Sequence, residues 1–381
     1  MTAPLIVLAA GGTGGHVFPA RALAEALRGR GWRVALVTDR RGAGFGEDLD
    51  VEVHRISAAS PGGGAGRALA GIIRLGAGLF QARRLLRRLA PQGVAGFGGY
   101  PSVPAVWAAA SAGLPTLIHE QNAAMGRANR LLAPRVRAIA LSFADTLRIR
   151  PCDRAKCVLT GNPVRAAVAA VGARPYPALE PDGTLRLLVT GGSQGARILS
   201  RVVPEAVAAL DAPLRRRLAI VQQCRPEDLD AVRARYDAIG ATAELASFFD
   251  DMPARLTAAH LVIGRAGAST VAELGAAGRP AVLVPYARAV DDHQSANAAA
   301  AEAAGAAWAL AEPAFTPQAL ADRLRSLIEH PAMLTETAVR ARAFGRADAA
   351  ERLADAVATI ATPGHNGGSG VRSDERREAA A

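Results

Sequence analysis

Leu5-Ile6-Val7-Leu8-Ala9-Ala10-Gly11-Gly12-Thr13-Gly14-Gly15-His16 decides the fold, because the chain repeats its pattern as Leu185-Arg186-Leu187-Leu188-Val189-Thr190-Gly191-Gly192-Ser193-Gln194-Gly195. Each is a short apolar run, then G-G-[T/S]-x-G, then a stretch of helical periodicity. A run of that length bounded by glycine reads as a strand buried on both faces. The glycines let backbone approach a ligand closely, and the helix that follows offers unpaired N–H groups and a positive dipole end to a phosphate. The spacing is not the dinucleotide fingerprint G-x-G-x-x-G. One such loop says little. Two, each opening a strand–helix series of domain size, predict an α/β protein of two Rossmann-like domains, each a doubly wound parallel sheet, facing a cleft.

Outward from the first loop, apolar runs at 33–38, 94–98, 116–119, 139–142 and 158–161 alternate with helical segments such as 19–29. Outward from the second, runs fall at 219–222, 261–264 and 281–285. That alternation is the pattern of a parallel sheet. The junction falls within 161–174, and residues 172–184, rich in Pro, Gly and Ala, read as a link or surface loop. Residues 341–360 read as helix and close the fold, and the Gly/Ser/Arg/Glu stretch from Thr362 reads as a disordered tail.

At 381 residues, half of them apolar, the chain is long enough for two cores. Aromatics make up only 4%, so those cores are built from Ala, Val, Leu and Ile. The net charge of +11 is almost wholly arginine, with Lys156 the lysine. Such a balance suits phosphorylated substrates, an anionic membrane or nucleic acid, and follows equally from an Ala- and Arg-rich composition, so only local clusters carry weight. Cys152, Cys157 and Cys224 leave an odd thiol and match no zinc spacing, which fits a reducing compartment. Residues 103–118 are interrupted by Ser111, Gly113 and Pro115, and no stretch reaches the roughly 20 clean apolar residues of a spanning helix. Residues 5–10 are too short, and lack the basic leader, for a signal peptide.

Several segments carry chemistry. His16 stands where the first loop enters its helix, either reaching the cleft or capping the helix. The stretch from Gly264 to Glu273 ends a strand in small residues and starts a helix near Ala268, aiming the N–H groups around Ala268, Ser269, Thr270, Val271 and Ala272 at an anion. Glu273, one turn in, can accept two hydrogen bonds from a ribose diol or complement the helix dipole. His119-Glu120-Gln121-Asn122 places four polar side chains at the carboxyl edge of a strand, where ligands bind in such sheets. Asp291-Asp292-His293-Gln294-Ser295-Ala296-Asn297 offers the mixed donors and acceptors that sugar hydroxyls need. The two aspartates beside His293 lack a third ligand at a metal-binding spacing, so no metal is expected. Ile72, Leu75, Leu79 and Phe80 mix with Arg74, Arg83, Arg84, Arg87 and Arg88, which reads as a helix dipping into an anionic leaflet or as one lying on the sheet with solvated arginines.

Taken in order, 11–16, Gly98-Gly99-Tyr100, 119–122, Thr160-Gly161-Asn162-Pro163-Val164-Arg165, 191–197, 267–273 and Asp292-His293-Gln294 resemble the motifs of the MurG family. These are the bacterial UDP-N-acetylglucosamine transferases of glycosyltransferase family 28, and the resemblance spans residues 4–360. It implies a GT-B fold whose C-terminal helix crosses back. Residues 1–162 plus 341–361 then form an acceptor and membrane domain, 163–340 a UDP-GlcNAc domain and 362–381 a tail. It implies transfer of N-acetylglucosamine, with inversion, to the 4-hydroxyl of muramic acid in lipid I (undecaprenyl-diphospho-MurNAc-pentapeptide), giving lipid II for peptidoglycan. No cofactor and no nucleic acid are expected. The place is the cytoplasmic face of the bacterial inner membrane, with Ile72, Leu75, Leu79, Phe80, Arg83 and Arg84 on the anionic surface. By the same likeness Ser193 would touch the diphosphate, Glu273 the ribose, Gln294 the donor sugar, and the backbone of Phe249 the uracil. Thr13, Gly14, Gly15, Asn122 and Arg165 would line the cleft. His16 is the candidate base, since an imidazole's ordinary pKa suits that task. Ala266 stands where the family has serine after the arginine. Other functions compatible with these residues are a UDP-sugar transferase with a different acceptor and a nucleotide-sugar sensor. A UDP-sugar 2-epimerase would want an acidic and histidine set that the sequence lacks.

Overall fold

The computed structural model describes residues 3–11, 14–39, 51–58, 65–192 and 195–362. Thr13, Ser193 and the expected tail beyond residue 362 lie outside them. Among the described residues the first half contains seven strands: β1 (Leu5–Ala9), β2 (Arg33–Thr38), β3 (Glu52–Arg55), β4 (Gly93–Gly96), β5 (Thr116–Glu120), β6 (Ala138–Leu141) and β7 (Cys157–Leu159). They form one parallel sheet in the order β3-β2-β1-β4-β5-β6-β7. The second half has β8 (Leu185–Thr190), β9 (Leu218–Gln223), β10 (Ala243–Ala246), β11 (Leu261–Gly264), β12 (Ala281–Leu283) and β13 (Ala307–Ala309). These form a parallel sheet in the order β10-β9-β8-β11-β12-β13.

The apolar runs are the inner strands, together with the edge strand β7. β1, β4, β5, β6 and β11 are buried along their whole length. The three strands that no apolar run announced, β3, β10 and β13, are all sheet edges. An edge strand covered on one side needs no continuous apolar stretch, and β3 (Glu-Val-His-Arg) shows none.

Helices cover both faces of each sheet. On the first, the Gly14–Gly29 helix packs on one face, and the Ala65–Leu89 and Ser102–Ser111 helices on the other. The final helix, Ala349–Ala361, packs on this first sheet and not on the second. Leu353, Ala354, Val357 and Ile360 join Ile6, Leu8, Leu23 and Leu27 in one core. Each large aliphatic buried there contributes about 1.5–3 kcal/mol.

The Ala65–Leu89 helix sorts its apolar residues in a way that corrects the sequence expectation. Leu75 and Leu79 lean on the sheet core together with Ala82 and Leu86. Ile73 and Phe80 point outward, 63% and 70% exposed, beside exposed Arg83 and Arg84. The side chain of Ile72 is outside the described set. Among the described residues no helix is long and apolar enough to cross a membrane.

Candidate functional site

In each sheet the connections after two adjacent inner strands, β1 and β4 or β8 and β11, leave toward opposite faces, and ligands bind at such a switch point. Both switch points open into one cleft of about 1500 Å³, lined from the first half by Gly15, His16, Gly98 and Asn122 and from the second by Gly191, Ser269, Glu273 and Gln294.

On the first side, His16 tops β1. Gly98 and Gly99 have φ of +80° and +69°, and a Cβ on either would sit 3.5–3.6 Å from the His16 ring. The Gly98-Gly99-Tyr100 motif therefore supplies a left-handed turn against which the imidazole packs. Burial, then the charge of His293, lowers the His16 pKa to about 4. The ring is neutral at pH 7 and able to accept a proton, but less basic than an ordinary histidine.

His119 is fully buried. Its Nε2–H donates to Gly161 O at 3.0 Å, and its Nδ1 accepts from Gln121 Nε2 at 2.9 Å. Burial lowers its pKa to about 4 as well. The Glu120 carboxylate accepts from Asn122 N, Asn122 Nδ2, Gly126 N and Asn129 Nδ2. Burial still pushes its pKa upward against those donors. His119, Glu120 and Gln121 thus shape the loop from within, and of the four-residue cluster Asn122 is the part-exposed member.

On the second side, the Ala268–Ala277 helix starts at the cleft after Gly267. Its far end is fixed by Arg279, whose buried guanidinium donates to the carbonyls of Leu256, Thr257, Ala277 and Gly278, the C-terminal ends of two helices. A cation there complements both dipoles. In the first turn the Ser269 hydroxyl is buried with no hydrogen-bond partner. Arg165 Nε and Nη2 reach Glu273 Oε1 at 3.1 and 3.0 Å. Burial pushes the Glu273 carboxyl above its usual range, with Arg165 working against it. Gly191 admits no side chain, because a Cβ would meet Ala196 N at 2.3 Å. Val271 turns into the core at 2% exposure, and neither Val271 nor Ala272 lines the cleft, unlike Ala268, Ser269, Thr270 and Glu273. Phe249 lines it while largely buried; Phe248 beside it is 62% exposed and was not anticipated.

The two halves are tied across the cleft floor. Asn297, fully buried, accepts from Ala123 N at 2.7 Å and donates to Asn122 Oδ1 and Ala266 O. Asp291, with φ of +56°, faces Arg127, Arg130 and Arg148. Burial opposes its charge, yet the three guanidiniums hold its carboxyl below the usual range. Asp291 is thus an inter-half ion-pair partner, and among the described residues no group of three or more His, Cys, Asp or Glu converges as a metal set.

Residues 6–141 match the glycosyltransferase family 28 N-terminal domain and residues 186–353 its C-terminal domain. The chain belongs to glycosyltransferase family 28. It is 59% identical over 359 residues, 93% of this chain and 96% of the relative, to the UDP-N-acetylglucosamine–N-acetylmuramyl-(pentapeptide) pyrophosphoryl-undecaprenol N-acetylglucosamine transferase of Paramagnetospirillum magneticum. The same-named protein of Rhodospirillum centenum is 59% identical over 353 residues, 92% of this chain and 93% of that one. The crystal structure of Acinetobacter baumannii MurG superposes with a TM-score of 0.78 at 32% identity, covering 93% of this chain and 99% of that one. The two facing parallel-sheet domains are the GT-B arrangement of this family.

Proposed function

We propose that this chain transfers N-acetylglucosamine from UDP-GlcNAc to the 4-hydroxyl of the muramic acid of lipid I, with inversion at the sugar carbon, giving lipid II. The observation that carries the reading is one cleft flanked by two glycine loops. Its second-half wall offers a helix N-terminus, the unpartnered Ser269 hydroxyl, the Glu273 carboxylate and Gln294. That set suits a nucleoside diphosphate sugar. Relatives at 59% identity carry the transferase name over nearly the whole chain.

In this reading residues 163–340 bind the donor and residues 1–162, completed by the returning helix, bind the acceptor. Glu273 accepts from the ribose hydroxyls, the backbone of Phe249 meets the uracil, and Gln294 meets the sugar. The N–H groups at Ala268, Ser269 and Thr270, with the Ser193 loop, spread the charge on the departing UDP, as a preorganised donor set does for any leaving anion. The acceptor's diphosphate takes the first loop, around Thr13, Gly14 and Gly15. The attacking hydroxyl lies near His16, whose neutral imidazole takes the proton. The diphosphate charges of both substrates raise its basicity when the cleft is filled.

Ile73 and Phe80, flanked by Arg83 and Arg84, set the protein on an anionic leaflet at the cytoplasmic face, where a polyprenyl-linked acceptor is held. The test is UDP release from UDP-GlcNAc with a lipid I analogue. Release that depends on this acceptor supports the reading. Release of equal rate without it, or none with it, overturns the reading.

A further inference from the structure

Three consecutive strand ends of the second sheet meet at the sugar end of the cleft: β11 ends beside Arg265, β12 beside Tyr286 and β13 beside Glu312. The Arg265 and Glu312 side chains and the backbone around Tyr286 are linked by one chain of hydrogen bonds. Glu312 Oε1 accepts from Arg265 Nη2 at 2.8 Å, and its Oε2 accepts from the backbone N–H of Ala287 at 3.0 Å. Arg265 Nη1 donates to the carbonyls of Val284 and Pro285 at 3.1 and 3.4 Å, and its guanidinium lies 5.2 Å from the Tyr286 ring centre. The segment from Val284 to Ala287 is thus gripped on both its carbonyl and its N–H sides. Within it, the N–H of Tyr286 donates to Gln294 Oε1 at 3.0 Å.

That last bond has a chemical consequence. A backbone N–H can only donate, so the amide atom facing it is the carbonyl oxygen. The Gln294 NH2 group is left for the cleft, and it makes no protein hydrogen bond among the described residues. A donor-only group at this place reads sugar hydroxyls through their oxygen lone pairs. A loose 284–287 segment would let the amide turn over and present an acceptor.

We propose that Glu312 is a positioning residue for donor-sugar recognition: through Arg265 and Ala287 it holds the Val284–Ala287 backbone so that Tyr286 locks the Gln294 amide with its NH2 toward the sugar. Glu312 itself touches no substrate in this scheme. The inference rests on the assignment of Gln294 to the donor sugar made above, and it adds the element that fixes which face of that side chain is read.

Glu312→Gln tests it with little change of shape. Both partners of Glu312 are donors, and glutamine has a single acceptor atom, so one partner must face an NH2 group and the grip is lost. Affinities for UDP and for UDP-GlcNAc are measured by calorimetry, with transfer from UDP-GlcNAc against UDP-GalNAc, its 4-epimer. UDP-GlcNAc should bind about tenfold more weakly while UDP, which lacks the sugar, binds as before; one oriented hydrogen bond accounts for a factor of that size. The preference for UDP-GlcNAc over UDP-GalNAc should fall by about the same factor. Adding Gln294→Ala to Glu312→Gln should cost little more, since the two act in series.

Unchanged UDP-GlcNAc affinity and selectivity would overturn the proposal. An equal loss for UDP and UDP-GlcNAc would also overturn it, because a merely structural role weakens both. So would full additivity with Gln294→Ala. If Gln294→Ala alone leaves UDP-GlcNAc binding intact, it is the donor-sugar assignment that fails, and that outcome is distinct from the others.

Discussion

Glu273→Ala should weaken UDP by about 30- to 1000-fold, and the structure fixes why the factor is not larger. In the free cleft both guanidinium contacts from Arg165 fall on Oε1, at 3.0 and 3.1 Å, and Oε2 has no protein hydrogen bond among the described residues. A ribose diol finds one oxygen open and must share or displace Arg165 at the other. Each hydrogen bond to a charged acceptor is worth about 1.5–3 kcal/mol. The competing ion pair is half open to solvent, with Arg165 at 45% exposure, and counts for about 0–1 kcal/mol. With the bond at Oε1 shared with Arg165 and so counted at its lower end, the net loss is about 2–4 kcal/mol, which converts to the stated factor. Calorimetry with UDP and with UDP-GlcNAc should show the same factor for both, since the ribose is common to them. Because the Glu273 pKa is raised, native affinity should start to fall at a higher pH than an ordinary glutamate would dictate, and the variant should lose that slope. Equal affinity of variant and parent, or a loss confined to UDP-GlcNAc, would refute the ribose assignment.

Three further outcomes follow from the same geometry. His16→Ala should cut turnover by about 10²–10⁴ with donor affinity barely changed; an unaffected rate removes His16 as base, and a raised acceptor KM alone makes it a positioning group. Replacing Ile73 and Phe80 with Ser should reduce binding to vesicles of anionic lipid, whereas Leu79→Ser should lower the melting temperature; the reverse pattern would mean that the outward face is not the docking face. For His119 the folded pKa of about 4 lies below its ordinary 6.5, so the unfolded chain binds the extra proton. Its contribution is intact above pH 6.5 and falls as pH drops toward 4, by about 3 kcal/mol in all. Denaturant midpoints of His119→Gln across that range should be flatter than those of the parent, and parallel curves would contradict the assignment.

The architecture was legible because the inner strands and glycine loops are local signals. Leu5–Ala9 is buried on both faces, and Gly191 has no room for a Cβ. The edge strands β3 and β10 were not legible, because they are only part-buried and carry polar residues at positions an inner strand would fill with aliphatics. For the Ala65–Leu89 helix the sequence separates the inner from the outer face only in part. Ile73 and Phe80 repeat at seven residues, as Leu75, Leu79 and Leu86 do at four and seven, and both stripes are apolar. Only the sheet beneath decides which is inner. His16 was legible as a cleft residue while its depressed pKa was not, since its burial and the approach of Gly98, Gly99 and His293 join residues far apart in sequence. Asp291 with Arg127, Arg130 and Arg148, and Glu312 with Arg265, join residues far apart in sequence, and no spacing rule announces them.

The return of the last helix to the first sheet bears on the order of biosynthesis. Leu353, Val357 and Ile360 close a face of the sheet whose strands are made first. A nascent first half therefore holds Ile6, Leu8 and Leu36 beneath an incomplete cover until translation is nearly finished. The half that bears the outward Ile73 and Phe80 cannot reach its final stability ahead of the other, as independent domains of a growing chain do. A chain stopped after Gly345 should show early protease cuts in the first half as well as the second, and a first half that resists cleavage on its own would disprove this dependence.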